Sequence, residues 1–482
     1  MHTSALSFYA IVAAVIILSI YSILRRPRLQ SIKCYGGVVG LMPLIGILNA
    51  SRKHTLLQHL EDLFRIYTNT FLITILGKQL LLTCEPENIR TILSHRNFGI
   101  GLRHAQLYPL FGDSVFSLEG QKWSKLRRIL YKHVNDPRVL NVDNLDPHVE
   151  QLFTNILQDG EICNVQRHFH DFTIETFSGI FFGSSPSSAA RQNNQGHFTK
   201  AMKTCHYSLF WRMLAHSFYW TIKPSSLRNA AAYVHNFVAK RISDSIAAKE
   251  YSPVLAISQD IPDSALLHDQ IIGILAASHD TTSSLLSSTL YFLARNQRVF
   301  YCLRQEILDN LGPGKPMTFQ RLKDLPYLQA TLNETLRLFP PVPFNLRVAL
   351  QSTSLPTGGN GKLPIYIKQG QIVATSAWHL HRDKDIWGQD ADDFIPERWL
   401  NMKQKQEQWA FVPFGAGPRT CLGRQYALSQ AGYVIARLLQ VFDHIEKVET
   451  SQAQCQPPRA AIGLTISHAD GVYVRLSKDT DV

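Results

Sequence analysis

"FGAGPRTCLGR", Phe414 to Arg424, sets one cysteine among three glycines, a proline and two arginines. A lone cysteine is ordinarily a buried structural thiol, but these surroundings suit another use. A thiolate is a strong axial ligand for haem iron and pushes electron density onto the metal, which favours cleavage of a bound O–O bond. Such a sulfur needs shielding and backbone N–H groups aimed at it, and glycine lets the main chain approach sulfur and porphyrin closely. Gly415, Gly417 and Gly423 answer that need around Cys421. Arg419 is placed to meet a haem propionate as an ion pair, and a helix opening near Leu422 would turn its positive end toward the sulfur. The pattern F-G-x-G-x-R-x-C-x-G fixes the residue at six positions. At average residue frequencies its chance occurrence in such a chain is rarer than about one in ten thousand.

The rest of the chain bounds what this loop can serve. Its 482 residues are 45% hydrophobic and 18% charged, slightly poor in charge against roughly 25% for soluble domains, and ample for a large core. No Ser/Gly-rich linker, charge block or repeat divides the chain after about residue 55, so one large unit is expected. Seven scattered cysteines, odd in number and without a CxxC pair, argue against a disulfide framework or a zinc knuckle.

"SALSFYAIVAAVIILSIYSIL", Ser4 to Leu24, is uncharged and is followed at once by Arg25, Arg26 and Arg28. About 20 apolar residues span a bilayer as a helix. The run exceeds the roughly 7–15-residue core of a cleaved signal peptide, and no small-x-small site precedes the arginines. Residues 1–24 therefore read as a single-pass membrane anchor, with its transmembrane helix over about 4–24. The basic flank stays cytosolic, residues 25–54 read as a basic linker, and 55–482 as the catalytic domain. The formal net charge of +12 points to an acidic partner. For a membrane-anchored chain nucleic acid is the poorest such partner, behind anionic lipid and an acidic protein.

Periodicity predicts a mainly α fold with small β-sheets. "TLLQHLEDLFRIY" has helical spacing, while "FLITILG" and "KQLLLTC" read as strands joined by a Gly-Lys turn. The strongest helices are expected over Glu119–Tyr131, Ala230–Lys249, Leu267–Arg295, Asn296–Leu311 and Tyr327–Phe339. A second strand-rich patch spans Leu346–Ala374, with "LPTGGNGKLP" supplying turns.

The cysteine loop resembles that of the cytochrome P450 family, the haem-thiolate monooxygenases. The resemblance implies the P450 fold, haem b with Cys421 as the iron ligand, and O2 as co-substrate. It implies electrons from NADPH through NADPH-cytochrome P450 reductase, with cytochrome b5 as a further donor, and residence in the endoplasmic reticulum membrane. Phe414, Gly415, Arg419 and Gly423 match the family's cofactor-binding loop. "LNETLR" and "FIPERW" supply Glu334, Arg337 and Arg398, which match a buried structural Glu-Arg-Arg cluster. E-x-x-R alone occurs about once by chance in a chain of this length, and its bland reading is a surface ion pair.

"QKWSKLRR" puts Trp123 and Arg127 four apart on one helix face, matching the family's propionate-binding W-x-x-x-R, and Arg347 in "FNLRVA" matches another propionate position. "ILAASHDTTSSLL" carries Asp280 and Thr281, poor helix formers within an apolar helix. They match the family's acid and alcohol, and an acid with an adjacent hydroxyl, opening the helix toward a water, would relay protons. The alternative is that Thr281 back-bonds to the Ala277 carbonyl. Departures are present as well. Ser278 stands where the family usually has glycine, Lys132, His133 and Val134 replace Pro-x-Phe, the proline-rich hinge is reduced to Pro27 and Pro43, and Gln430 replaces a common glutamate.

"NFGIGLRHAQLYPLFGDSVFSLEGQKW", Asn97 to Trp123, is similar to the active-site lid of the yeast and fungal alkane and fatty-acid ω-hydroxylases. "SLPTGGNGKLPIYIKQGQIV", "HLHRDKDIWGQDADDFIPERW" and "GLTISHADGVYVRL" extend the likeness from about Thr55 to Leu476. The resemblance implies a long apolar substrate, a fatty acid, alkane or similar chain, hydroxylated at or near its terminal carbon. Phe98, Ile100, Leu107, Phe111 and Ile274 are candidate pocket walls, with Ala277, Val342, Phe344, Leu464 and Ile466. They would bind lipophiles in general, at about 25 cal/mol per Å² buried. A secondary metabolite such as a polyketide, terpenoid or lipopeptide tail stays open as substrate. So do a reductase-independent haem-thiolate isomerase or dehydratase, and a non-catalytic haem or lipid binder. The basic surface at Arg419 and Arg424 is the expected docking face for the acidic reductase.

Overall fold

The computed structural model describes residues 32–37, 40–158, 162–183, 188–312, 318–359, 362–401, 409–448 and 457–478. The anchor expected at 4–24 lies outside the described residues. Among the described residues no helix is long and apolar enough to cross a membrane.

The helices that matter to the site are, in chain order, α1 (Leu41–Arg52), α2 (Leu56–Tyr67), α3 (Gly120–Val134), α4 (Val165–Phe182), α5 (Ser188–Leu214), α6 (Ser264–Leu293), α7 (Gln297–Leu311), α8 (Pro326–Leu338) and α9 (Arg424–Val441). The chain divides into two compact units. The first gathers described residues within 1–101, 344–388 and 407–420, and the second those within 102–343, 389–406 and 421–482. Each is assembled from stretches far apart in the chain, so no linker marks the division.

The first unit is built on a six-stranded sheet of β1 (Cys34–Tyr35), β2 (Thr70–Ile75), β3 (Lys78–Thr83), β4 (Phe98–Gly99), β5 (Phe344–Ala349) and β6 (Ile372–Ser376), in spatial order β1-β2-β3-β6-β5-β4. The β2–β3 hairpin turns at Leu76 and Gly77, both at positive φ (48° and 74°), as a two-residue turn matched to strand twist requires. The turn thus falls one residue before the expected Gly-Lys. β3 pairs parallel with β6, and β6 antiparallel with β5. Helix α2 buries Leu56, Leu57, Leu60, Leu63 and Phe64 on one face. The stretch expected as linker is also folded in part: Cys34 and Tyr35 pair with Leu72 and Ile73, and α1 buries Pro43, Ile47 and Ala50. Its apolar residues supply enough core contact to fold with the sheet.

The second unit is helical around α6, whose N-terminus is capped by the Asp263 carboxylate accepting from the Ala265 and Leu266 N–H groups. Most of α6 is buried although it is rich in serine and threonine. Several of its hydroxyls are satisfied locally or by neighbours, whereas those of Thr282 and Ser283 have no hydrogen-bond partner. Ser287 donates to the Ser283 carbonyl at 2.6 Å, Thr289 to Leu285 at 2.9 Å, and Ser284 to the Ile466 carbonyl at 2.7 Å. Such bonds let a polar helix be the core element. The apolar core beside it includes Ile271, Ile272, Leu275, Phe177 and Phe181, the two phenylalanines stacked at 4.4 Å. Helices α3, α6, α7 and α8 follow the sequence expectation within a few residues.

Candidate active site

The cysteine loop passes from the first unit to the second between Thr420 and Cys421. Its first half is fixed by backbone bonds. The Val412 N–H donates to His381 Nε2 at 3.0 Å, and the Gly415 N–H donates to the Val412 carbonyl at 3.0 Å. Gly415 and Gly417 take φ of 65° and 68°, the left-handed region where a side chain is strained. At Gly417 an added Cβ would also strike the Leu93 carbonyl. Phe414 and Arg419 are half-buried. Arg347, on β5, is buried and donates through Nη1 to the Leu346 carbonyl at 2.9 Å.

In the second unit Cys421 is a free, accessible thiol that protein nonetheless crowds. Burial raises its pKa, while the Gly423 N–H and the charges of Arg127 and Arg424 act in the opposite direction. Helix α9 starts at Arg424, after Gly423, two residues beyond the expected start. On α3 the Arg127 guanidinium lies 5.8 Å from the centre of the Trp123 ring. Desolvation lowers the Arg127 pKa, and Cys421 opposes that shift. Trp123, Arg127 and Cys421 are thus brought into one electrostatic neighbourhood.

Glu334 and Arg337 on α8 are fully buried and bonded side by side, Nε to Oε2 at 2.8 Å and Nη2 to Oε1 at 2.7 Å. Arg398 adds a third member at 2.9 Å, and the Trp399 indole N–H and Ile395 N–H also reach the Glu334 carboxylate, each at 2.9 Å. Arg337 continues to the carbonyls of Ala391 and Asp393. This is a satisfied buried network, not the surface pair that isolated E-x-x-R would suggest.

Residues match the cytochrome P450 family from 38 to 469. The chain belongs to the cytochrome P450 family. It is accordingly a monooxygenase whose chemistry uses haem iron and dioxygen. Cytochrome P450 52A3-B of Candida maltosa is 36% identical over 91% of this chain and 89% of its own. Cytochrome P450 52A13 of Debaryomyces hansenii is 35% identical over 90% and 89%, and cytochrome P450 52A6 of Candida tropicalis 35% over 96% of both. The residues of this P450 fit a thiolate-held haem. Cys421 is an accessible sulfur with an N–H directed at it. A Cβ added at Gly415 or Gly423 would meet no heavy atom within 4 Å, so each backbone leaves room for a flat ring.

On α6 the P450's residues divide between two faces. Ala277, Ser278 and Thr281 are partly exposed and Ile274 is 9% exposed, so one stripe reaches open space. Thr281 donates to the Ala277 carbonyl at 2.6 Å and Ser278 to the Leu275 carbonyl at 3.1 Å. The helix is unbroken here, contrary to the expected opening, and both hydroxyls bond back into it. Asp280 faces the other way. It is 7% exposed and sits among His170, His206 and His279, with His206 Nδ1 2.5 Å from Oδ2. Burial opposes its charge, but His206 and His279 outweigh that and hold the carboxyl far below the usual carboxylate range. The acid is therefore withdrawn from the stripe that carries the alcohol. His170 and His206 escape sequence reading because they lie on α4 and α5; only His279, directly before Asp280, was a local signal.

The wall residues also separate. Ala277, Val342 and Leu464 are partly exposed in the second unit, as is Phe344 in the first. Leu107 and Phe111 are instead sealed into the apolar core, at 3% exposure each. Ile466 is sealed at 1%, its N–H donating to the Pro341 carbonyl. Phe98 and Ile100 are buried in the first unit. Alternation of large apolar groups cannot distinguish core from wall. Two departures from the family pattern are absorbed by new bonds: His133 Nε2 lies 2.7 Å from Asp260, and Gln430 donates to Thr176 at 2.7 Å.

Proposed function

We propose that this P450 hydroxylates a long apolar chain, a fatty acid, alkane or similar tail, at or near its terminal carbon. The bound haem supplies dioxygen activation, with electrons drawn from NADPH through a reductase. In the second unit Cys421 is the iron ligand and Trp123 with Arg127 a propionate-binding pair. In the first, Phe414 and Gly415 support the loop, and Arg347 and Arg419 have the chemistry for propionates. Glu334, Arg337 and Arg398 are structural.

Thr281 presents its hydroxyl on the accessible stripe of α6, where Oγ1 holds and passes a proton while bonded to Ala277. Asp280, kept anionic and tied to His206, fixes the charge behind that helix turn and is a positioning residue. Ile274, Ala277, Val342 and Leu464 guide the chain and exclude water. The enzyme acts at the endoplasmic reticulum membrane, held by one anchor at 4–24 with its catalytic region in the cytosol.

The observation that carries this reading is the likeness of Asn97–Trp123 to the alkane and fatty-acid hydroxylases, together with 36% identity to a yeast P450 over 91% of the chain. The test is to incubate membranes holding the protein and a reductase with NADPH and a graded series of alkanes, fatty acids, and cyclic and branched lipophiles. Terminal alcohols or acids from straight chains are expected. Turnover of cyclic lipophiles with inert straight chains would overturn the substrate class.

A further inference from the structure

Behind the accessible stripe of α6 lies a polar cluster that oxygen chemistry uses only in part. His170 on α4 and His279 and Asp280 on α6 are 3%, 0% and 7% exposed. One ligand atom from each lies within 4.8 Å of the others. Hydrogen bonding does not account for them: both ring nitrogens of His170, Nε2 of His279 and Oδ1 of Asp280 have no hydrogen-bond partner. Unpaired buried polar atoms are rare in folded proteins, and several converging on one point call for an explanation.

Their spacing suits an ion. His279 Nε2 is 3.2 Å and His170 Nδ1 3.8 Å from Asp280 Oδ1. Two atoms each bonded to a tetrahedral zinc are about 3.3 Å apart. The metal stands off the line joining them, whereas a hydrogen-bond proton must lie near it. The outward atoms are already held. The Thr173 hydroxyl donates to the His170 carbonyl at 3.0 Å and is 2.9 Å from His279 Nδ1. With its one proton so used, the hydroxyl accepts from His279 Nδ1–H, which leaves a lone pair on Nε2. Asp280 Oδ2 is held by His206 Nδ1 at 2.5 Å. Metal-bound histidines and carboxylates are supported by such outer partners. The facing cation, Lys203 on α5, is exposed and solvent-screened.

We propose that His170, His279 and Asp280 bind one divalent metal ion of the zinc class, separate from the haem iron. Two imidazoles and a carboxylate without thiolate match that class of ion. The ion ties α4 to α6 one residue away from Thr281, and it would be taken up as the chain folds.

The test uses the full-length, haem-loaded protein produced with zinc and dialysed against a weak chelator, with zinc counted per chain by plasma mass spectrometry. About one zinc per chain is expected. His279→Ala and Asp280→Asn should each retain at least ~10-fold less, while Cys302→Ser, at an exposed thiol, retains the wild-type amount. Haem-loaded wild type without zinc, or undiminished zinc in His279→Ala, would overturn the site. Should the variants fail to fold, zinc-edge X-ray absorption of the wild type decides. Nitrogen and oxygen ligands alone at about 2.0–2.2 Å support the site, and sulfur in the shell refutes it.

Discussion

Thr281 and Asp280 are neighbours in sequence with opposite surroundings. The Thr281 hydroxyl is partly exposed and bonded to Ala277, while Asp280 is buried among imidazoles. Removing the hydroxyl should therefore impair proton delivery without disturbing the fold. Thr281→Ala is expected to consume NADPH with product per NADPH reduced ~10-fold or more, and Thr281→Ser to restore most of it. Product yield matched to NADPH in Thr281→Ala would remove the hydroxyl from the mechanism. Cys421 and its glycines could be read from the chain because the chemistry lies within one contiguous loop. The surroundings of Asp280 could not, since His170 and His206 arrive on helices 110 and 74 residues upstream.

At the scale of elements, α8 depends on Glu334, whose carboxylate accepts from Arg337, Arg398, Trp399 and Ile395. Removing one partner of a buried charge network strands the others and costs about 3–5 kcal/mol. Glu334→Ala is expected to abolish haem-loaded protein. Arg398→Ala, at a position 10% exposed, should lower the melting temperature yet leave haem-loaded protein. Equal stability of Glu334→Ala and wild type in thermal unfolding would contradict a structural role. Helices α3, α6, α7 and α8 were legible from periodicity, and the cluster from E-x-x-R followed by "FIPERW". Helix α4 carries no such signal: it is buried nearly all round, which removes the polar face that marks an amphipathic helix.

For the whole molecule, each unit holds a neutral buried histidine. Burial first, then Arg382, lowers His379 in the first unit to about 3; burial first, then Arg295, lowers His468 in the second to about 3. Unfolded histidine titrates near pH 6.5, so between about 6.5 and 3 the unfolded chain binds more protons than the folded one. Their contribution is fully present above pH ~6.5 and lost as pH falls toward 3. Unfolding midpoints in denaturant should fall steadily from pH 7 to 5, and the His468→Gln variant should show a shallower fall. A flat profile would contradict buried neutral imidazoles. The division into two units was illegible because β5 and β6 join strands more than 200 residues earlier, with no compositional break between. Oxygen insertion at a chain end is checked by turnover of a straight-chain fatty acid under ¹⁸O₂, with NADPH and reductase, followed by mass spectrometry of the product. One ¹⁸O in a terminal hydroxyl is the predicted result. An unlabelled product, or label confined to carbons remote from the chain end, would contradict it.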